Sequence, residues 1–176
     1  MKQRRIEEED LGPMKLIFNY ENVFYSFFYD DISGCIHRSR EYAMNYVYSG
    51  EMILDNGKQQ IHVGKGECVY IPRDHHITMY KRTFNGERYC GIFLNFTRNF
   101  LREMYAKFGQ CKIPADTSKL KPEVIKLPKT AEITSLFASL TPFFDPEVKP
   151  RDDFMHLKLQ EGLLALLHID GRFAST

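Results

Sequence analysis

The sequence predicts an α+β chain in which an antiparallel β unit, closed or sandwiched, comes before a small helical layer. Three observations carry that prediction. Alternating runs meet at Asn56-Gly57, and these two residues best tolerate the φ > 0 positions of a type I′ hairpin turn. Short strand-like runs recur roughly every 8 to 12 residues with turn chemistry between them, the spacing of a sandwich or barrel. At Thr97 the apolar period lengthens from that of a strand to that of a helix.

Taken in order, residues 1–12 read as a flexible N-terminus, because Lys2-Gln-Arg-Arg5 is cancelled at once by Glu7-Glu-Glu-Asp10. The β unit spans 13–96. Met14–Tyr20 and Val23–Tyr29 are rich in aromatic and β-branched residues and read as strands, with Glu21-Asn22 turning between them. Asp30–Gly34 is a loop, and Cys35–Glu41 a further strand. Tyr42–Tyr48, Glu51–Asp55, Lys58–Val63 and Glu67–Ile71 follow, separated by Ser49-Gly50, Asn56-Gly57 and Gly64-Lys-Gly66. Ile77–Lys81 and Tyr89–Phe96 close the series across a second Asn-Gly, Asn85-Gly86.

The helical region spans 97–170. Thr97 is placed to cap a first helix, in which Phe100, Leu101, Met104, Tyr105 and Phe108 recur at helical spacing before Gly109. A proline-bearing loop and a short strand at Val124–Leu127 lead to a second helix that begins at Thr130, with Ile133, Leu136, Phe137 and Leu140 on one stripe. Asp152 or Asp153 is expected to cap a third helix that runs to about Ile169, with Gly171 as its C′ residue. That helix is apolar over more than the one stripe needed to cover a sheet. Either helix two and the barrel rim bury the surplus, or Phe154, Leu157, Leu163, Leu164 and Leu167 form the surface of a homodimer. Four leucines buried at roughly 1.5–3 kcal/mol each approach the association cost of about 4–15 kcal/mol. The partner's matching side chains then tip the sum towards pairing.

Bulk properties exclude several classes. With 24 basic and 23 acidic residues and a net charge of +1, no global field favours nucleic acid. No apolar run approaches the ~20 residues of a membrane span. The four cysteines Cys35, Cys68, Cys90 and Cys111 show no metal-type spacing, and the charged first ten residues are no signal peptide. Reduced thiols in a cytoplasmic protein follow. Cys68 and Cys90 lie in strands without the context of a nucleophile elbow, and Glu51, Glu67 and Glu87 read as solvated strand-end carboxylates, so no catalytic residue is assigned.

Gly66-Glu-Cys-Val-Tyr-Ile-Pro72 has the Gly-x5-Pro spacing of the second cupin motif, and Tyr46–Glu51 resembles the end of the first. The metal-ligand positions of cupins would fall at His37, Ser39, Ala43 and near Ile77. One imidazole cannot hold a divalent ion, so the resemblance implies a metal-free, cofactor-free cupin-like barrel of the jelly-roll type. Of the pair His75-His76 beside Ile77, at least one ring is expected in solvent. With helices added after the barrel, the chain resembles the N-terminal domain of AraC/XylS-type transcriptional regulators. Ile71–Lys81, Leu136–Asp145 and Leu157–Leu167 carry that resemblance.

The resemblance implies an effector-sensing and dimerising domain, a homodimer without membrane contact. DNA would be read only by a helix-turn-helix domain absent from this chain. Motif parity turns His37, Asn45 and Val47 into the barrel, with Tyr29 and Arg88 at its rim as further ligand-binding candidates. Alternatively Phe24, Phe27, Phe28, Tyr46, Tyr48 and Phe93 fill the interior, and the effector is a partner protein. The competing readings are a stand-alone cupin that binds a ligand or partner, or a cupin enzyme.

Overall fold

A computed structural model describes residues 14–21, 23–29, 33–38, 40–108, 123–170 and 173; of 14–16, 25–29 and 33–38 it describes the backbone. The strands are β1 (Met14–Tyr20), β2 (Phe24–Tyr29), β3 (Ser33–Arg38), β4 (Tyr42–Ser49), β5 (Glu51–Asp55), β6 (Gln60–Val63), β7 (Cys68–Ile71), β8 (His76–Arg82), β9 (Tyr89–Phe96) and β10 (Ile125–Lys126). The helices are α1 (Arg98–Phe108), α2 (Ala131–Ala138) and α3 (Asp152–Ile169), with a 3-10 turn at Thr141–Phe144. The N-terminal stretch 1–12, Cys111, Gly109, Gly171 and the loop prolines Pro114 and Pro122 lie outside the described residues.

The strands do not close into one barrel. They pair into a six-stranded sheet, β1-β2-β9-β4-β7-β10, and a four-stranded sheet, β3-β8-β5-β6. All the pairings are antiparallel. The chain passes from one sheet to the other at Gly50, whose φ is +69°. A Cβ there would stand 2.6 Å from Tyr89 Cα and 2.8 Å from the Arg82 carbonyl oxygen, so this corner requires glycine.

The two Asn-Gly dipeptides behave differently, and the expected type I′ turn lies at the second. Asn85 and Gly86 have φ of +50° and +76°. Phe84 and Glu87 exchange two backbone hydrogen bonds of 3.0 Å across them. At the first dipeptide only Gly57 has positive φ. There Asp55 pairs with Gln60 across a longer loop. The Asn56 Oδ1 accepts from the amides of Lys58 and Gln59, both at 2.9 Å. That side-chain turn replaces the backbone turn expected from the dipeptide.

Residues on one face of the six-stranded sheet point towards the four-stranded sheet. Ala43, Val47, Val69, Ile71 and Phe93 meet Met52, Leu54, Val63, Ile77 and Met79 there. The other face carries Phe24, Met44, Tyr46, Ile92, Leu94 and Phe96 and is covered by all three helices. β4 and β9 are therefore buried on both faces. Tyr46 and Tyr48 alternate with Asn45 and Val47, so they turn to the helices rather than into the interior, as Phe24 does. Of the described aromatics expected inside, only Phe93 is there.

Thr97 caps α1 as expected, accepting from the amide of Phe100 at 3.2 Å, and Thr130, expected to begin α2, stands one residue before it as its N-cap and accepts from the amide of Ile133 at 3.2 Å. The cap of α3 is one residue earlier than expected: Arg151 is the N-cap residue and makes no side-chain cap bond. Asp152 and Asp153 instead lie in the first turn, where their charge complements the helix dipole. Asp152 also accepts a 2.6 Å hydrogen bond from the Tyr20 hydroxyl, which ties the start of α3 to β1. Midway along α3, a Cβ on Gly162 would lie 2.6 Å from Leu94 Cδ2, so glycine lets helix and sheet meet closely.

Candidate functional site

Two places gather residues that could carry function: the space between the sheets and the outer face of α3. Between the sheets, alternation on β4 turns Ala43, Asn45 and Val47 inward. Asn45 is 0% exposed, and neither atom of its amide has a hydrogen-bond partner. Its cross-strand neighbours are Phe93 on β9 and Val69 on β7. Val47 is wholly buried, and its backbone bonds to Glu67 and Gly66 at 3.1 and 2.8 Å, which fixes the strand's position.

Lys81 on β8 reaches the same interior, 4% exposed. Its Nζ lies 5.2 Å from the ring centre of Phe93 and 5.5 Å from that of Tyr89, a cation–π arrangement strengthened by exclusion of water. The Tyr89 hydroxyl sits over Gly91, where a Cβ would approach it to 2.1 Å. Lys81 and Tyr89 were not singled out from the sequence. Their signal was parity: Lys81 follows Ile77 and Met79 at period two, and a lysine at a strand end ordinarily reads as solvated.

The other candidates separate. The side chains of Tyr29 and His37 lie outside the described residues; their backbones pair with Tyr89 and Ile77. Arg88 is exposed just before β9, and its carbonyl accepts from Ser49 Oγ at 2.7 Å. Ala43 and Ile77 are packed among apolar neighbours and offer no donor atoms. Among the described residues, no three His, Cys, Asp or Glu side chains come together. His76 is exposed, and His75 Nδ1 lies 3.1 Å from the Arg73 carbonyl oxygen.

Glu51 is a correction. It is not a solvated strand-end carboxylate but is buried. It is held by Arg82 Nε and Nη2 at 2.6 and 2.5 Å and by His62 Nδ1 at 2.9 Å. Burial alone would raise its pKa, but these partners bring it below the ordinary carboxylate value. Glu67 is half-buried against Lys126 at 2.6 Å, while Glu87 is exposed beside Lys65 at 3.1 Å. Cys68 and Cys90 are buried thiols, and burial pushes the Cys68 pKa up, the opposite of what a nucleophile needs.

The proposed interface residues on α3 divide. Phe154, Leu157 and Leu164 are 53%, 59% and 37% exposed. Leu163 and Leu167, at 8% and 7%, pack inside the protomer's own core. No described helix is long and apolar enough to cross a membrane.

ToxT from Vibrio cholerae shares the fold. One structure superimposes with a TM-score of 0.58 at 8% identity, over 82% of this chain and 55% of that one. Unsaturated fatty acid-bound ToxT gives 0.58 at 8% identity, over 86% and 55%. ToxT bound to (E)-4-(8-methylnaphthalen-1-yl)but-3-enoic acid gives 0.57 at 12%, over 86% and 57%. The chain thus spans a little over half of ToxT. No curated protein sequence matches it. Residues 42–175 match the family model described as the ExsA N-terminal regulatory domain, and the chain belongs to that family of regulatory domains of AraC-type transcriptional regulators.

Proposed function

We propose that this chain is the sensing and dimerising part of a cytoplasmic, non-enzymatic regulator. Residues 13–96 form a metal-free cupin-like container, and 97–170 form the layer through which two copies pair. DNA would be reached through a separate helix-turn-helix domain. The observation that carries the pairing is the stripe Phe154, Leu157 and Leu164, exposed on a helix whose opposite face is buried. Pairing raises DNA affinity by effective concentration, and an effector acts through unequal affinity for two arrangements of that helix.

Acid-bound ToxT structures support a small-molecule effector here, and so do the buried Asn45 amide and the Lys81 ammonium between the sheets. Sedimentation at low micromolar concentration tests the pairing: a dimer is expected, and a clean monomer refutes it. Thermal-shift screening with carboxylic acids tests the sensing. A complete blank favours a partner protein as the effector.

A further inference from the structure

We propose that a second, external site binds a small amphiphilic amine in the groove between the β1–β2 turn and the first half of α3. The groove is open to solvent and has a volume of about 710 Å³, within the range of small-molecule pockets. Its floor is apolar: Val23, Phe24, Met155 and Leu159 line it, and Phe24 and Met155 belong to the buried core beneath. Its rim is acidic, with Glu21, Asp152 and Asp153 among its lining, and Asp152 accepts from the Tyr20 hydroxyl.

Charge chooses the occupant. Two carboxylates at the start of α3 already answer the positive end of the helix dipole, so an anion finds no unmatched field there. The nearby cations are few. Arg151 Nη2 lies 3.4 Å from Asp153 and its guanidinium lies over the Phe154 ring. His156 turns to α1, with Nε2 3.6 Å from Glu103 and its ring edge-on to Phe100. Among the described residues Asp152 takes the neutral Tyr20 hydroxyl, and Glu21 is exposed at the turn. Among the described residues the groove therefore keeps an excess of negative charge above an apolar floor. An ammonium on an aliphatic stem satisfies both, whereas a carboxylate would meet like charge.

This site is separate from the inter-sheet space, because it lies on the helix-covered side of the six-stranded sheet. Leu157 both lines the groove and stands on the exposed stripe of α3. Occupancy is therefore felt where the second copy is proposed to dock.

The test is an amide NMR titration of the whole chain with octylammonium and, in parallel, octanoate, both below their micellar concentrations. Saturable shifts at residues 20–24 and 152–159 with octylammonium alone are expected. Glu21→Gln and Asp153→Asn should each weaken that binding about two- to fivefold, as for an exposed ion pair. Equal shifts with octanoate overturn the proposal, as do unsaturable shifts with both probes. Shifts confined to residues 43–47 and 89–93 would place the ligand between the sheets and also refute it. Shifts at the groove that track protein concentration without any probe would assign it to the second copy instead. Should either variant unfold, the two-probe comparison on the parent chain still decides.

Discussion

The two faces of the six-stranded sheet are built to different rules. The helix-covered face is lined by aliphatic and aromatic side chains, closed by stacked rings and by the close approach at Gly162. The face towards the second sheet keeps an unpartnered amide at Asn45 and is met from β8 of that sheet by the buried Lys81. A buried polar group without a partner costs stability. The first face is therefore where the fold is held, and the second is where stability is given up.

The sharpest test of that contrast is Phe137→Ala. Phe137 is wholly buried, stacks on Tyr46 with centroids 4.7 Å apart, and its carbonyl accepts from the Tyr48 hydroxyl at 2.5 Å. A loss of about 3–5 kcal/mol is expected in urea unfolding; a loss below ~1 kcal/mol would show that the helices are not what stabilises the sheet.

Glu51→Gln comes next, at roughly 2 kcal/mol for a buried carboxylate with charged partners. The pH dependence has a definite sign. The folded-state pKa of Glu51 lies below the ordinary 4.5, so its stabilisation is complete above pH 4.5 and is lost as pH falls through the lower folded value. Thermal melts of the variant should therefore lose less stability than the parent below that pH.

Asn45→Val should be stabilising, by about 1 kcal/mol, because it removes an amide with no partner. A destabilised variant would mean that a bound molecule satisfies that amide in solution, which sharpens the sensing reading. The smallest effect on folding is expected from Leu157→Glu, within about 0.5 kcal/mol, while sedimentation shifts from dimer to monomer. If the variant remains a dimer, the exposed stripe is not the interface.

Much of this molecule is legible one residue at a time. Strand positions follow from alternation, and the cap at Thr97 follows from side-chain chemistry within one turn. The errors have a common cause. Asn56 keeps negative φ because its own side chain closes the loop, whereas Asn85 takes the expected turn. Glu51 is buried because Arg82 and His62, distant in sequence, converge on it. Tyr46 and Tyr48 face the helices because β4 is covered on both sides, so alternation separates two cores rather than core from solvent.

Local chemistry thus determined the order and kind of the elements and the two apolar faces of α3, since period and capping are set within a few residues. Tertiary structure alone decided that the outer face of β4 and β9 meets helices, that the ladders end in two open sheets, and which leucines of α3 remain outside. Those outcomes depend on contacts between residues far apart in sequence, and no local pattern encodes them.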